Sequence, residues 1–326
     1  MELKDLAPWL HAPLRRALDA LASDRLGHAL LVCGPAHIGK HAFADALAQT
    51  LVCRERVDGI ACGCCRDCAF HAAGTHPDER YVGIEENEKT KVLRKEIVVE
   101  QLRDLGAWFA LTPQRGGAQV ARIEPASAMN ANASNALLKT LEEPIPGRYL
   151  LLLCESPMQL SATVRSRCQR ILLQPPDAAA ALDWLRARGH EPALAQSALA
   201  SAHGHPGLAA HWIDQGLLAL RETVRSDLAA LAADRARPLE VAVAWLADAR
   251  AEQRLAFAAD LAVDLQAQVL GIRPQDAWRV DRVADLHKLS VWFDSANRTR
   301  ELLRTPIRAD LAIAGLLRDW RDAVAA

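Results

Sequence analysis

A chain of 326 residues, 51% of them hydrophobic, is too long for one ordinary core and apolar enough to build two or three compact domains. A net charge of −1 lays down no basic footprint, so any contact with nucleic acid has to come from local patches or from partners. Met1-Glu2-Leu3-Lys4-Asp5 is not a basic stretch leading into an apolar one, and the longest apolar runs, such as residues 150–154, are strand-sized; the expectation is a soluble cytosolic (cytoplasmic) protein with no membrane contact.

From His28 to Pro175, short β-rich apolar runs alternate with helical stretches, the pattern of an α/β domain with a parallel sheet. Strands are expected at 28–33, 80–84, 118–124, 148–154 and 169–174, and helices near 39–52, 96–111, 127–142 and 159–166. Beyond Pro175-Pro176 the composition turns to Ala, Leu, Arg and Asp at helical spacing, and no strand is expected again. Breaks at His203-Gly204-His205-Pro206-Gly207 and near Gly216 divide this half, giving an α/β domain over 1–174, a small helical domain over 175–214 and a larger helical one over 215–326. The tryptophans of the helical half, among them Trp245, Trp278 and Trp292, read as packing or interface residues rather than base-stacking platforms.

The first strand leads into Gly34-Pro35-Ala36-His37-Ile38-Gly39-Lys40, which opens a helix. In that setting backbone N–H groups and the helix N-terminus cradle phosphates, with Lys40 reaching the outer ones. The next position, where a hydroxyl would hold Mg²⁺, is His41, and an imidazole does not replace it. The strand ending at Ile123 should carry an acidic pair to hold metal and orient water, but is followed by Glu124-Pro125. Hydrolysis is therefore not expected; Gly34, Gly39 and Lys40 leave two options, passive ATP binding and a bare strand-to-helix turn.

Eight cysteines in a long chain, four of them between Cys62 and Cys68, suggest metal before disulfides. Cys53, Cys62, Cys65 and Cys68 stand as Cys-x8-Cys-x2-Cys-x2-Cys in a segment too poor in apolar residues to fold on its own core. A structural zinc site is expected there, against a thioredoxin-type role for Cys65-Arg66-Asp67-Cys68; Cys64 competes as a ligand, and His71 and His76 are further donors. Cys33, Cys154 and Cys168 fall in or beside strands and read as core.

Asn135-Ala136-Leu137-Leu138-Lys139-Thr140-Leu141-Glu142-Glu143-Pro144 is an amphipathic helix, with Ala133, Leu137 and Leu141 on one face, stopped by Pro144. Together with Ser166-Arg167-Cys168, Pro8-Trp9-Leu10, the run 25–31 and Thr75-His76-Pro77-Asp78, it resembles the AAA+ clamp-loader subunits of bacterial DNA polymerase III. The resemblance covers the first half almost continuously. It implies a P-loop sheet domain with an inserted zinc module at 53–68, a small helical lid and an all-α C-terminal collar that packs with sister subunits. It further implies that Arg167 acts in trans as an arginine finger, its permanently charged fork reaching a neighbour's γ-phosphate, while Ser166 and Cys168 position the turn. A structural salt bridge is the other reading of Arg167.

The sensor arginine that active members of this family carry near a Gly-Ser motif is missing from 203–207. The resemblance thus implies a non-hydrolysing subunit whose partners are gamma- or tau-type ATPase subunits, a delta subunit and, through the complex, a sliding clamp and primed DNA. The alternatives are an active gamma- or tau-like motor, opposed by His41 and Pro125, and a zinc-finger DNA reader, for which Asp58, Asp67 and Asp78 make the cysteine loop a poor candidate despite Arg54, Arg56 and Arg66.

Overall fold

Five strands form one parallel sheet in the order β2-β3-β4-β1-β5, with β1 Ala29–Cys33, β2 Glu79–Val82, β3 Gln119–Ile123, β4 Arg148–Cys154 and β5 Gln169–Leu172. The computed structural model describes residues 6–87, 91–272, 285–303 and 305–324. Around the sheet run α1 Pro8–Ala22, α2 Lys40–Val52, α3 Arg66–Ala72, α4 Val99–Phe109, α5 Ala131–Glu142 and α6 Ala162–Ser166, followed by α7 Ala178–Ala187, α8 Pro192–Ser201 and α9 Pro206–Asp214. The chain divides into two compact units, Met1–His211 and Trp212–Ala326.

All five residues of β1 are buried, which is why it reads as an unbroken apolar run: as the strand between β4 and β5 it is covered on both faces. Side-chain alternation splits the core in two. Leu30, Val32, Leu151 and Leu153 pack with Leu10 and Leu14 of α1 and Phe43 and Leu47 of α2. Leu31, Cys33, Leu150 and Leu152 pack with Leu102 and Leu105 of α4 and Leu137 and Leu141 of α5. Each such side chain contributes about 1.5–3 kcal/mol when fully buried. The expected face of α5 is the one it buries: Ala133, Leu137 and Leu141.

All five expected strands form, and the ladder stops at Val82, Ile123 and Leu172, short of the expected ends, where the chain leaves the carboxyl edge of the sheet for the loops described below. Helices α1 and α3 were not among those expected. In the second unit, α10 Leu217–Ala232, α11 Pro238–Trp245, α12 Ala251–Val269, α13 Leu286–Leu302 and α14 Ala309–Val324 account for the described residues with no strand. Gly216, at φ +62°, makes the left-handed entry to α10.

Trp245, Trp292 and Trp320 are buried, and each indole N–H is satisfied: by Asp227 at 2.8 Å, the Leu316 carbonyl at 2.8 Å and the Leu228 carbonyl at 3.0 Å. Trp292 and Trp320 pack with ring centres 4.7 Å apart. Trp278 lies outside the described residues. No described helix is long and apolar enough to cross a membrane.

Candidate functional site

The glycine loop joins β1 to α2 at the carboxyl edge of the sheet, and two of its residues must be glycine for reasons of space. A Cβ on Gly34 would stand 2.6 Å from the Leu173 carbonyl oxygen, and Gly39, at φ +99°, would press one to 2.8 Å from Leu10. Lys40 folds back onto its own loop, its ammonium donating to the Gly34 and Pro35 carbonyls at 2.8 Å each. Burial lowers its pKa from the ordinary lysine value, against the opposing pull of Glu155 and Glu124.

The next residue, His41, meets Glu124 Oε2 through Nδ1 at 2.8 Å. The two positions where a magnesium site would draw its protein ligands are therefore engaged with each other. Opposite the loop, the start of α9 approaches so closely that a Cβ on Gly207 would meet the His37 carbonyl oxygen at 1.9 Å. His37 stacks on His211 with ring centres 4.3 Å apart, and burial, then the proximity of His211 and Lys40, holds its imidazole below the ordinary pKa. His205 caps α9, Nδ1 accepting the Leu208 N–H at 3.1 Å.

The four expected cysteines come together. Cys53 Sγ lies 3.8 Å from Cys62 and 3.8 Å from Cys65, Cys62 lies 3.9 Å from Cys68, and all four sulfurs fall within 4.8 Å of one another. A tetrahedral zinc with Zn–S of about 2.3 Å requires sulfurs about 3.8 Å apart, so the spacing fits the ion. Backbone N–H groups of Cys62, Cys65 and Cys68 point at the sulfurs of Cys53, Cys62 and Cys65 at 3.3–3.5 Å, the arrangement that favours thiolates. N–H groups of Cys64 and Cys65 bring the Cys62 thiol down to about 6, whereas burial pushes Cys53 up. Cys64 is exposed and outside the four-sulfur group.

The two histidines weighed as donors are bound elsewhere. His71 is clasped by Glu79 at 2.8 Å through Nδ1 and by Asp45 at 3.3 Å through Nε2, and Arg122 pairs with the same Asp45. Burial alone would lower the His71 pKa, but these carboxylates raise it to about 9. His76 turns Nε2 toward Asp67 at 3.7 Å, and Asp67 takes the Arg115 Nε–H at 2.7 Å. Asp78 is 1% exposed and accepts the backbone N–H groups of Gln114 and Arg115 at 2.7 Å each. Thr75-His76-Pro77-Asp78 is thus a structural clamp that fastens α3 and the cysteine loop to the sheet.

Cys33 and Cys154, in register on β1 and β4, are core residues with sulfurs 3.4 Å apart; Cys168 is half-buried.

Arg167 sits at the C-terminal cap of α6, away from the glycine loop of its own chain in sequence, and is partly exposed. Its NH1 donates to the Thr163 carbonyl at 2.9 Å and its NH2 pairs with Glu142 Oε1 at 2.7 Å. The salt bridge that was the other reading of this arginine is therefore present within the chain. Neither Glu142 as its partner nor the His41–Glu124 contact was expected from sequence; a carboxylate 25 residues upstream of an arginine, or an acid 83 residues beyond a histidine, leaves no local signal.

Residues 12–177 match the family described as "DNA polymerase III, delta subunit". The chain is 40% identical over 245 residues to DNA polymerase III subunit delta′ of Pseudomonas aeruginosa, covering 74% of this chain and 72% of that protein. It is 33% identical over 226 residues to subunit delta′ of Escherichia coli, covering 68% of this chain but 65% of that protein, just under two thirds of its length. Subunit tau of Escherichia coli is 33% identical over 156 residues, 48% of this chain and 23% of tau.

Proposed function

The chain belongs to the family of DNA polymerase III delta′ subunits, and from that premise we propose a clamp-loader subunit of the AAA+ class that turns over no ATP and lends one arginine to a neighbour. In DNA replication it completes the loader beside gamma- or tau-type ATPase subunits and a delta subunit, in the cytoplasm, and through that complex helps place a sliding clamp on primed DNA. Residues 1–174 form the nucleotide-binding-like domain, 175–214 the lid and 215–326 the collar that meets sister subunits.

The observation that carries the silent half of this reading is the His41–Glu124 contact at 2.8 Å. A hard cation takes oxygen ligands in a tight octahedron, and here the one carboxylate in place faces an imidazole, with proline where a second acid belongs. Lys40, bound to its own loop carbonyls, would have to let them go to meet a phosphate. Binding of ATP without turnover remains compatible with this arrangement. Arg167, by contrast, stands on the surface at a helix end, as a group donated to another subunit must.

Cys53, Cys62, Cys65 and Cys68 would hold zinc, and with four thiolates the shell is closed, so its contribution is to fix the loop. The protein's own share in that fixation is the N–H···S bonding and the carboxylate clamps around His71 and Asp67.

The test is phosphate release from Mg-ATP by the purified chain, with and without primed DNA. No turnover is expected. Turnover that vanishes in Lys40→Ala would instead establish a motor subunit of the gamma or tau kind.

A further inference from the structure

We propose that Glu142 is a restraining counter-ion for Arg167, holding the guanidinium on its own chain until a neighbour's phosphate displaces it. This rests on the reading of Arg167 as a group acting in trans, and deepens it by assigning how its delivery is controlled.

Two segments separated by β4 meet at this point. Glu142 is the last residue of α5, and Arg167 caps α6. The two helices pack against each other, and Leu137 and Val164 belong to one buried core cluster, so the helix ends are fixed with respect to each other. Of the five N–H groups of the guanidinium, one on NH1 is given to the Thr163 carbonyl at 2.9 Å and one on NH2 to Glu142 at 2.7 Å. The Thr163 bond is local to the α6 cap and sets where the guanidinium sits; the Glu142 bond is the one that answers its charge.

A guanidinium stabilises phosphoryl transfer by its full positive charge close to the developing negative oxygens. With a carboxylate at 2.7 Å that charge is largely answered within the chain. A phosphate, more highly charged than one carboxylate and able to take two N–H groups side by side, can replace it. Both side chains are in contact with solvent, 36% exposed for Arg167 and 50% for Glu142, so the exchange does not require opening the core. The pair is also a weak one, because exposed ion pairs are screened by water and salt. That is the property wanted in a restraint that must yield.

The adjacent Glu143 makes the comparison clean. It is exposed, carries the same charge one residue on, and makes no ion pair with Arg167 among the described residues.

The experiment is single-site ATP hydrolysis at the subunit that receives Arg167, in a reconstituted loader containing this chain with the other sites disabled, without DNA, for the unaltered protein and for Glu142→Gln, Glu143→Gln, Arg167→Ala and the double variant Glu142→Gln/Arg167→Ala. Glu142→Gln should raise kcat about 1.4- to fivefold, the span over which exposed pairs contribute, and leave KM for ATP unchanged, since the arginine acts on charge that develops in the transition state. Glu143→Gln should do nothing, and the double variant should match Arg167→Ala. A kcat for Glu142→Gln that falls or stays the same overturns the restraint. An Arg167→Ala complex as fast as the unaltered one would sink the trans-acting reading itself, a result separable from the first.

Discussion

Arg167 is held by hydrogen bonds that specify its fork as well as its charge, and the two properties separate by substitution. Arg167→Ala should lower DNA-stimulated ATP hydrolysis at the adjoining subunit by on the order of 10³-fold, the lower end for trans-acting arginines. Because a loader has several active sites, the total rate falls only by the share of that one site, so the measurement is single-site turnover with the other sites disabled. Arg167→Lys should recover little, since an ammonium supplies one point charge where two parallel N–H groups are needed. Full recovery by lysine would mean that charge alone is used. Of this site, Arg167, Lys40 and the two loop glycines were legible in the sequence because each stands in a motif with fixed local spacing. The pairing of Arg167 with Glu142 and of His41 with Glu124 was not, since only the packing of α5 on α6 and of β3 near α2 brings those side chains within reach.

At the level of elements, the cysteine loop depends on the sulfur cluster on one side and buried carboxylates on the other. Cys62→Ser removes the thiol held down to about 6 and should leave a chain that purifies with less than one equivalent of metal and is cut by protease between residues 53 and 68. A full zinc complement in that variant, by elemental analysis, would remove Cys62 from the ligand set.

The His71 clasp makes a second prediction, on pH. Its folded-state pKa, about 9, lies above the unfolded value near 6.5, so its stabilisation is complete below that value and is lost as pH rises through about 9. The stability gap between the unaltered chain and His71→Gln, read by urea unfolding, should therefore be widest at pH 6 and nearly closed by pH 10. A gap that stays constant would show that the imidazole is held neutral.

The buried strands could be read because apolar runs bounded by turns have few alternatives in a chain of this pattern. Helix α3 could not: it is seven residues long, capped by the Cys65 sulfur rather than by a usual capping side chain, and it buries only Asp67 and Cys68, so no apolar period announces it. Helix α1 does carry Leu10, Leu14 and Ala17 at helical spacing, so its signal lies in the sequence.

On the scale of the whole chain, the two units have different internal logic. The first is organised by a sheet and carries the glycine loop, the four-cysteine cluster and Arg167; in the second, the buried indoles of Trp245, Trp292 and Trp320 each find an acceptor for their N–H. Trp320→Ala should cost the second unit about 3–5 kcal/mol, the range for emptying a buried aromatic site, measured by calorimetric unfolding. Trp320→Phe should restore most of the packing and still lose the bond to the Leu228 carbonyl. Equal stability of the alanine variant and the unaltered chain would place the tryptophan outside the stabilising core. That Trp245 and Trp292 are packing residues was legible from their setting in an all-helical half that offers no chemical motif of its own.

The strand order has a consequence for how the protein comes into being. β1 is made early, yet its two neighbours in the sheet are β4 and β5, so Ala29–Cys33 has no pairing edge until residue 148 has been synthesised and is not flanked on both sides until residue 172. At about 5–20 residues per second the delay before the flanking is complete is on the order of ten seconds. The four cysteines, by contrast, are complete within residues 53–68 and need no distant segment to meet. The gathering of the four thiols is thus local and early while closure of the sheet is remote and late, so the loop can take its shape before the core that will carry it exists.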